Sequence, residues 1–479
     1  MLPYKNIESV ERIETPLSTE MSNALETWYN MYMEQADWLQ PGTVESLNLP
    51  AMICSEIARQ ITLEMKWNIT GKKQDGQDEP VENARSKYLK AEFEKLLGVL
   101  RQKLEQGCAA GGMVIKPYPK NSHIHFDWTM AWSMYPIAFG DDGELTDVIF
   151  PSQYTEGKTV YTRLERHTLD GDTVHITQRA FKSNDKNVIG IEIPLTDVPL
   201  WESLAPEADV KAADGMMFGF FKVASANNVD VDSPMGVSVF SKATQQIRQA
   251  DEQYSRLLWE FEGSELAIDV DPTVLRPRKD QDGLSMPRLK ERLFRATDLG
   301  QDDSYHIFSP TIRDASIING MNQILMKVED LCGLARGTLS DSNVEARTAT
   351  ELRIVKQRSY ATIADNQAAL ERCLRDVIHA MDTYATLYDL AEDGEYDVSF
   401  EWDDSIITDS EQQMNERLTL LSNQVISKAE IRQWYFGETE SQAKAAIEAI
   451  TAEQAEQMVN MQALLPSVGP DDTSNPAAG

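Results

Sequence analysis

Cysteine and histidine are scarce in this 479-residue chain, with four and six residues respectively. The cysteines are widely scattered and form no Cys-x-x-Cys pair, so the sequence indicates neither a zinc ribbon nor a disulfide framework. We expect the four thiols to be reduced and buried. They belong to Cys54, Cys108, Cys332 and Cys373.

Long apolar runs are also missing. No stretch approaches the roughly eighteen consecutive apolar residues that mark a membrane span. The N-terminal sequence MLPYKNIESVERIE is mixed and lacks the basic and then apolar regions of a secretory signal. We therefore expect no membrane association, and a protein that works or is assembled in a bacterial cytoplasm.

Cations are outnumbered, with 45 Lys and Arg against 77 Asp and Glu and a net charge of -32. This balance argues against a protein whose main task is to grip nucleic acid, because phosphate binding needs cations that displace counterions. The charge is unevenly distributed. Residues 388–479 hold 19 acidic and 4 basic residues, whereas residues 276–295 (RPRKDQDGLSMPRLKERLFR) hold seven basic and three acidic ones.

The periodicity predicts an α+β chain that is mainly helical. Residues 16–105 are interpreted as helical, with a capped start at LSTE and an end at Gly107. Short alternating runs such as LTDVIF, TVYTRLERH and TVHITQRAF then continue to about residue 224. Turn clusters such as DDGE and LDGD separate some of these runs, which predicts an antiparallel meander.

Two later helices carry apolar residues at alternating spacings of four and three, the pattern of a packing seam. The helices flank the basic segment, for which a small strand-and-helix excursion is expected. Neither seam helix is expected to be stable alone, so each needs neighbours in this chain or in another copy. The seam residues are Ala243, Ile247, Ala250, Tyr254, Leu257 and Phe261 in the first helix, and Ile317, Met321, Ile324, Val328 and Leu331 in the second.

After the second seam the chain passes through GLARGTLSDSNVEARTATEL, a helical segment broken by small polar residues. Thr348 and Glu351 fit a capping box, which predicts that a helix begins at Ala349. No Gly or Pro follows Gly337 until Gly394, so this helix is expected to reach about Leu390. One strand (YDVSFEWDDSI), three helices and a disordered tail over residues 466–479 complete the prediction.

One enzymatic alternative rests on Gly157, Lys158 and Thr159, which resemble the end of a phosphate-binding loop. The full pattern needs glycine where Ser152 stands, and an alternating strand follows instead of a helix. A hairpin turn is the favoured interpretation, and a nucleoside triphosphatase is kept as the alternative.

Two possible metal sites are also weak. His123 and His125 lie on one face of a predicted strand without a third ligand of matching spacing. Asp230 and Asp232 begin like a calcium loop but lack its glycine and its final glutamate. We expect no metal, no cofactor and no catalytic residues.

Three segments resemble the portal proteins of tailed double-stranded-DNA bacteriophages, of the long-tailed siphophage type. They are NNVDVDSPMGVSVFSKATQQIRQADEQYS (227–255), CGLARGTLSDSNVEARTATEL (332–352) and KQRSYATIADNQAALE (356–371). The resemblance implies a structural protein of the virion, in which twelve copies form a ring around an axial channel. DNA would be packaged and ejected through this channel.

The resemblance also implies a division of the chain and a set of functional residues. The wing would comprise residues 1–235 and the long helix 349–390, the stem helices 236–263 and 314–336, the clip 264–313, the tunnel loop 337–348 and the crown 391–465. The tunnel loop would present Leu339, Ser340, Asp341, Ser342, Asn343, Val344, Glu345, Ala346 and Arg347 to DNA. The clip would bind an acidic partner, or alternatively contact phosphate at the channel exit, and the former is favoured. The residues concerned are Arg276, Arg278, Lys279, Arg288, Lys290 and Arg292.

The implied partners are the large terminase subunit, the head-to-tail adaptor, the major capsid protein and the scaffolding protein. DNA in the channel is expected to bind weakly and without sequence preference. Besides the nucleoside triphosphatase, an oligomeric helical scaffold unrelated to phage remains an alternative.

Overall fold

The computed structural model divides into two compact units, Met1–Asp403 and Asp404–Gly479. The fold is α+β, as the sequence predicted. The structure describes residues 4–13, 15–63, 65–72, 82–211, 215–270, 278–280, 283–285, 294–296, 305–341, 349–402, 410–436 and 439–464.

The α-helices of the first unit are α1 (Tyr4–Glu11), α2 (Thr19–Tyr32), α3 (Leu49–Thr62), α4 (Ala84–Ala110), α5 (Thr244–Gly263), α6 (Asp314–Cys332) and α7 (Ala349–Leu387). Ser18 caps α2 as predicted, since its hydroxyl accepts a hydrogen bond from the Met21 N–H at 3.2 Å. The main hydrophobic core is formed between these helices and the sheets that they cover.

Helix α4 runs past its predicted end at Gly107 and stops at Gly111, which has φ +81°. A Cβ on Gly107 would lie 3.0 Å from Sδ of Met113, so this glycine is needed for close packing inside the helix. Left-handed backbone is what a glycine at the end of a helix usually provides, and here Gly111 provides it. The predicted end was therefore one helical turn too early.

The expectation of continuous helix over residues 16–105 was wrong at β1 (Met65–Gly71). This strand pairs in antiparallel register with β16 (Tyr396–Trp402), with Trp67 opposite Phe400. The ring of Trp67 meets that of Phe93 on α4 at a centroid distance of 5.0 Å. The strand was missed because its partner lies more than three hundred residues away in the chain. Its only local signal is a short alternation of apolar and polar residues.

The meander between α4 and α5 is confirmed. A three-stranded sheet has the order β10-β2-β3, and a longer sheet has the order β4-β5-β6-β7-β8, with β9 paired to β7. The bounds are β2 (Gly112–Lys120), β3 (His123–Met130), β4 (Tyr135–Phe139), β5 (Leu145–Glu156), β6 (Thr159–Asp170), β7 (Thr173–Ser183), β8 (Ile191–Ile193), β9 (Glu207–Lys211) and β10 (Gly219–Lys222).

Helix α7 begins at Ala349, the residue at which the sequence predicted a helix, and ends three residues before the predicted Leu390. It packs across β10 and β2 and also contacts α3 and α4. At Gly219 the approach is so close that a Cβ would lie 2.1 Å from the carbonyl oxygen of Cys373. The long helix is thus an integral part of the core of the first unit.

All four cysteines are free and buried, as expected. Burial raises the pKa of the Cys332 thiol to about 12, and it raises the pKa of Cys54, Cys108 and Cys373 as well. Thiols in this state carry almost no thiolate at neutral pH and serve as packing groups.

The second unit contains the three predicted helices, namely α8 (Ser410–Ser422), α9 (Lys428–Phe436) and α10 (Glu440–Leu464). Because β16 pairs with β1, the predicted crown boundary at residue 391 falls inside the first unit. The predicted disordered tail lies outside the described residues. Of the helices in the described part of the chain, none is long and apolar enough to cross a membrane.

Candidate functional site

The two seam helices pack against each other as α5 and α6. The first of them begins at Thr244 and not at residue 236, which corrects the predicted boundary. The preceding residues run along the end of α4, where Val239 donates its N–H to the carbonyl of Cys108 at 3.1 Å. Gly236 lies so close to Gly111 that a Cβ would meet its carbonyl oxygen at 2.1 Å, a contact that holds this segment out of the helix.

Complete burial of seam residues is confined to one end of the helix pair. Ala243, Ile247, Ala250 and Val328 are completely buried, whereas Phe261 is exposed. Leu257 is buried, and Tyr254, Ile317, Met321, Ile324 and Leu331 are half-buried. The seam thus closes only at the end that joins the main core. Apolar side chains exposed at the opposite end, called here the open-end side chains, are Leu258, Trp259, Phe261, Leu266, Ile307, Ile312 and Ile318.

An ion pair joins the end of α5 to the start of α6 at that open end. The carboxylate of Glu260 accepts hydrogen bonds from the backbone N–H of Arg313 at 3.1 Å and from its guanidinium at 3.1 and 2.7 Å. These bonds hold the pKa of Glu260 below its usual range. This contact therefore fixes the end of α5 next to the start of α6.

The predicted clip segment lies between α5 and α6 in the chain. Its described residues form a sheet of order β14-β11-β15, in which β11 pairs parallel to β14, and a separate hairpin of β12 and β13. The bounds are β11 (Ala267–Val270), β12 (Arg278–Asp280), β13 (Gly283–Ser285), β14 (Phe294–Ala296) and β15 (Tyr305–Phe308). The expected strands are present, and the expected helix is not seen in the described part of this segment.

The basic residues predicted to bind partners remain untested. Arg278 and Lys279 are residues of β12, but their side chains are not among those that the structure describes. Arg276, Arg288, Lys290 and Arg292 lie outside the described residues.

An acidic residue that the sequence did not single out holds the 36–48 loop against α5. Asp251 accepts a hydrogen bond from Nε1 of Trp38 at 3.0 Å and one from the backbone N–H of Leu47 at 2.9 Å. Burial raises the pKa of this carboxyl group. Asp251 lies next to Ala250 of the seam, and its only sequence signal is a charge beside an apolar stripe.

The polar break after α6 starts with Gly333 at φ +71° and then folds around Glu329, whose exposed fraction is 0%. Oε1 of Glu329 accepts the N–H groups of Gly337, Leu339 and Ser340 at 3.1, 2.5 and 2.8 Å. Its Oε2 accepts the hydroxyl of Ser340 at 2.8 Å. A fully buried carboxylate thereby receives four hydrogen bonds from the turn.

Asn322 fastens the next residue of the same segment. Its amide nitrogen donates to the carbonyl of Asp341 at 2.9 Å, and its amide oxygen accepts the N–H of Asp341 at 2.8 Å. The backbone N–H and the backbone carbonyl of Asp341 are thus both hydrogen-bonded to one side chain of α6.

These contacts change the expectation for the tunnel loop. Ser340 is buried, so its side chain does not face outward as the resemblance implied, whereas Leu339 is half-buried and Asp341 is exposed. The hydroxyl of Ser340 points inward because it donates a hydrogen bond to the buried carboxylate of Glu329. Ser342, Asn343, Val344, Glu345, Ala346 and Arg347 lie outside the described residues, as does the predicted cap Thr348, and the side chain of Glu351 is not described.

The weaker candidate sites have ordinary structural roles. Gly157 and Lys158 form the turn between β5 and β6, in which Glu156 pairs with Thr159, so no helix N-terminus faces a phosphate there. Their arrangement is the hairpin turn that the sequence favoured.

The histidine pair is divided between two partners. His123 contacts Glu92 at 2.8 Å, whereas His125 stacks on Tyr118. Asp230 accepts the N–H of Asp232 in a local turn. Across the part of the chain that the structure describes, no three acidic, His or Cys side chains are arranged to hold a metal ion.

The described elements are those that the resemblance implies for a portal subunit, namely a pair of packed helices, a strand excursion between them, a polar turn and a long helix. The family model described as phage portal protein, SPP1 Gp6-like, matches residues 47–459. This match covers most of the chain, and the protein belongs to that family. A search of curated proteins found no significant match.

Proposed function

We propose that this protein forms a ring-shaped channel at one vertex of a phage capsid, through which DNA is packaged and later ejected. Twelve copies would make the ring in the virion. The large terminase subunit would dock during packaging and the head-to-tail adaptor afterwards, and the major capsid and scaffolding proteins would surround the ring during assembly in the host cytoplasm.

The observation that carries this proposal is the set of open-end side chains. Trp259 is 65% exposed and Ile307 is 55% exposed in the single chain, and five further apolar side chains of this end are exposed with them. Soluble monomers rarely leave such a concentration of apolar surface in water, and a large exposed apolar patch usually marks an interface. Lateral packing of neighbouring copies along α5 and α6 would cover it, and a head-to-tail interface that closes generates a ring.

Family membership supports the division of the chain that the resemblance implies. In this proposal α5 and α6 are the stem, the strands β11 to β15 belong to the clip and residues 337–348 are the tunnel loop. The first sheets and α7 form the wing, and the helices of the second unit form the crown. DNA would run past the tunnel loops along the axis.

Sliding of DNA requires that the channel bind phosphate weakly. If each of twelve loops held one phosphate in register by about 0.5–1 kcal/mol, the trap would approach 10 kcal/mol and would slow escape by about seven powers of ten. The exposed carboxylate of Asp341 and the net charge of -32 are suited to repelling the backbone. We therefore expect DNA affinity to be weak and sensitive to salt.

The experiment is negative-stain microscopy of the purified chain together with its mass in solution. Rings with a central hole and a mass of many subunits are expected. A preparation that contains only folded monomers would overturn the proposal.

The enzymatic alternative is tested with the same preparation. Hydrolysis of ATP that is lost in Lys158→Ala would favour the nucleoside triphosphatase. Equal background rates in both chains would favour the structural role.

A further inference from the structure

The backbone from Gly337 to Asp341 is neither helix nor strand, yet four of its five N–H groups donate to side chains of α6. The three N–H groups and one hydroxyl that meet Glu329 are matched to a carboxylate, because an ionised carboxylate only accepts hydrogen bonds. Bonds to an ionised acceptor are roughly twice as strong as neutral ones. The turn is therefore built around this one side chain.

No cation is recorded in contact with the carboxylate of Glu329 among the described residues. Arg336 is the basic residue of the turn itself, and its guanidinium binds Asp330 at 2.9 Å. The four hydrogen bonds thus perform the compensation that a buried charge requires. If they are removed, a buried carboxylate is left without partners, so the turn and Glu329 depend on each other.

The second anchor is placed by helix geometry. Asn322 precedes Glu329 by seven residues, which is two helical turns, so both side chains project from the same face of α6. The two anchors are about 10 Å apart along the helix axis. Residues 337–341 accordingly fold back along α6 from the position of Glu329 to that of Asn322.

The backbone of the turn also needs its particular residues. Gly337 has φ +93°, a conformation in which a side chain would be strained. Leu339 packs against the main core and holds the turn down between the two anchors. The segment is thus fixed by packing as well as by hydrogen bonds.

We infer that Glu329 and Asn322 are positioning residues that make residues 337–341 a fixed extension of α6. In the channel, the tunnel loop would start from Asp341 at a place set by α6 and not by α7, so a shift of α6 would carry the start of the loop with it. The anchoring stands on the contacts alone, whereas its effect on DNA passage rests on the proposed function.

Hydrogen exchange of the purified protein, followed by mass spectrometry of overlapping peptides, tests the anchoring. In the wild-type protein the amides of Gly337, Leu339, Ser340 and Asp341 should be protected although they belong to no helix or strand. Glu329→Ala should raise exchange in peptides covering 337–341 by about tenfold or more, with α6 itself still protected. Rapid exchange of these amides in the wild-type protein would overturn the inference.

Two matched variants sharpen the test. Glu329→Gln keeps an oxygen that can accept the three N–H groups, so it should preserve most of the protection. Asp330→Asn weakens the surface ion pair with Arg336 without touching Glu329, and it should leave exchange at 337–341 unchanged. Equal loss of protection in Asp330→Asn and Glu329→Ala would count against a specific anchor.

Milder variants serve if Glu329→Ala fails to assemble. Asn322→Ala removes the two bonds to Asp341 and should accelerate exchange at that residue, while Gly337 and Leu339 stay protected. Ser340→Ala removes a hydroxyl that donates to Glu329 and accepts from the N–H of Gly337, and it should have a smaller effect than Asn322→Ala at Asp341. Unchanged exchange at Asp341 in Asn322→Ala would overturn the role of this residue.

A packaging assay separates the anchor from the channel. Asn322→Ala rings should form normally but yield fewer DNA-filled particles than wild type. If exchange changes and packaging does not, the positioning role in DNA passage is refuted while the anchor itself stands. If wild-type rings are absent altogether, the proposed function fails without affecting the exchange result.

Discussion

Arg85, at the start of α4, binds Asp382, near the end of α7, although 297 residues separate them in the chain. Nη1 of Arg85 lies 3.1 Å from the carboxylate of Asp382 and 3.0 Å from its carbonyl oxygen. The same guanidinium donates to the carbonyl of Glu392 and contacts the carboxylate of Asp393. Arg85 is 1% exposed, so the first unit contains a buried cation that joins α4, α7 and the segment before β16.

Arg85→Ala should destabilise the first unit strongly. The carboxylate partners Asp382 and Asp393 are 32% and 82% exposed, so water can partly replace the lost cation. The cost should therefore be about 2–3 kcal/mol, below the value for breaking a fully buried pair. Arg85→Lys should recover part of the loss, because lysine keeps the charge but lacks the planar fork that reaches several acceptors. Urea denaturation of the three proteins measures the difference.

Arg59→Ala is the control for this loss. Arg59 pairs with Glu56 on the surface of α3, and exposed pairs are worth about 0–1 kcal/mol. Equal losses in Arg59→Ala and Arg85→Ala would contradict the special role of the buried site.

A second buried network predicts how stability changes with pH. Glu165 on β6 contacts Lys116 at 2.5 Å, His167 at 2.8 Å and Arg163 at 3.0 Å. Burial acts to raise the pKa of Glu165, but Lys116, His167 and Arg163 outweigh it and hold that pKa well below 4.5. Burial lowers the pKa of His167 below 6.5, against the opposing effect of Glu165.

Both shifts make the unfolded chain bind protons more readily than the folded chain as pH falls. The contribution of His167 is complete above pH 6.5 and diminishes below it, and that of Glu165 diminishes below pH 4.5. The unfolding free energy should therefore decrease from neutral pH through both ranges. Urea midpoints measured at a series of pH values follow this decrease.

His167→Gln isolates the first of the two steps, because glutamine can still donate to Glu165 but does not titrate. The decrease between about pH 7 and pH 5.5 should become smaller in this variant. His125→Gln, which alters an exposed ring stacked on Tyr118, should leave the wild-type slope intact. A steeper slope in His167→Gln would refute the assignment.

Two glycines should respond in opposite directions to alanine. Gly219→Ala would put a Cβ 2.1 Å from the carbonyl oxygen of Cys373, so β10 and α7 would have to separate, at a cost of about 1–3 kcal/mol. Gly98→Ala, in the exposed interior of α4 with nothing within 4 Å, should stabilise the protein by about 0.5–1 kcal/mol. Thermal melting of both variants measures the signs, and a stabilised Gly219→Ala would contradict the packing of α7.

Much of this architecture could be predicted because its signals are local. The strands of the β4 to β8 sheet follow one another with short turns, so alternation and turn residues suffice to identify them. The start of α7 at Ala349 is announced by a polar break followed by residues that favour helix.

The errors have a common physical origin in contacts between distant segments. β1 exists because β16 supplies its hydrogen bonds, and α5 starts late because Val239 and Gly236 are held against the end of α4. Neither contact can be predicted from the helix or strand propensity of the local sequence. Ser340 was expected to face DNA because the resemblance placed it in the tunnel loop, but its hydroxyl donates to a buried glutamate eleven residues earlier.

The basic residues of the clip segment allow a test of the partner surface. Arg276, Arg278 and Lys279 changed together to serine should spare ring formation, since the helix pair is untouched. The same variant should impair DNA packaging or attachment of the neck, because charge complementarity steers association with an acidic partner. Particle yield, DNA content and tail attachment measure the effect, and normal tailed particles full of DNA would contradict the assignment.

The open-end side chains provide the most direct test of assembly. Trp259→Lys combined with Phe261→Lys should leave each chain folded, because both side chains are exposed in the single copy. The same pair should prevent lateral packing, since the charges would have to be buried or brought close to one another in the ring. Sedimentation should show a shift from large assemblies to single chains with an unchanged circular dichroism spectrum. Val231→Lys, at a residue that is 86% exposed and lies outside α5 and α6, controls for added charge and should assemble like wild type. Assembly of the double variant into full rings would mean that the exposed end of the stem is covered by something other than a neighbouring copy.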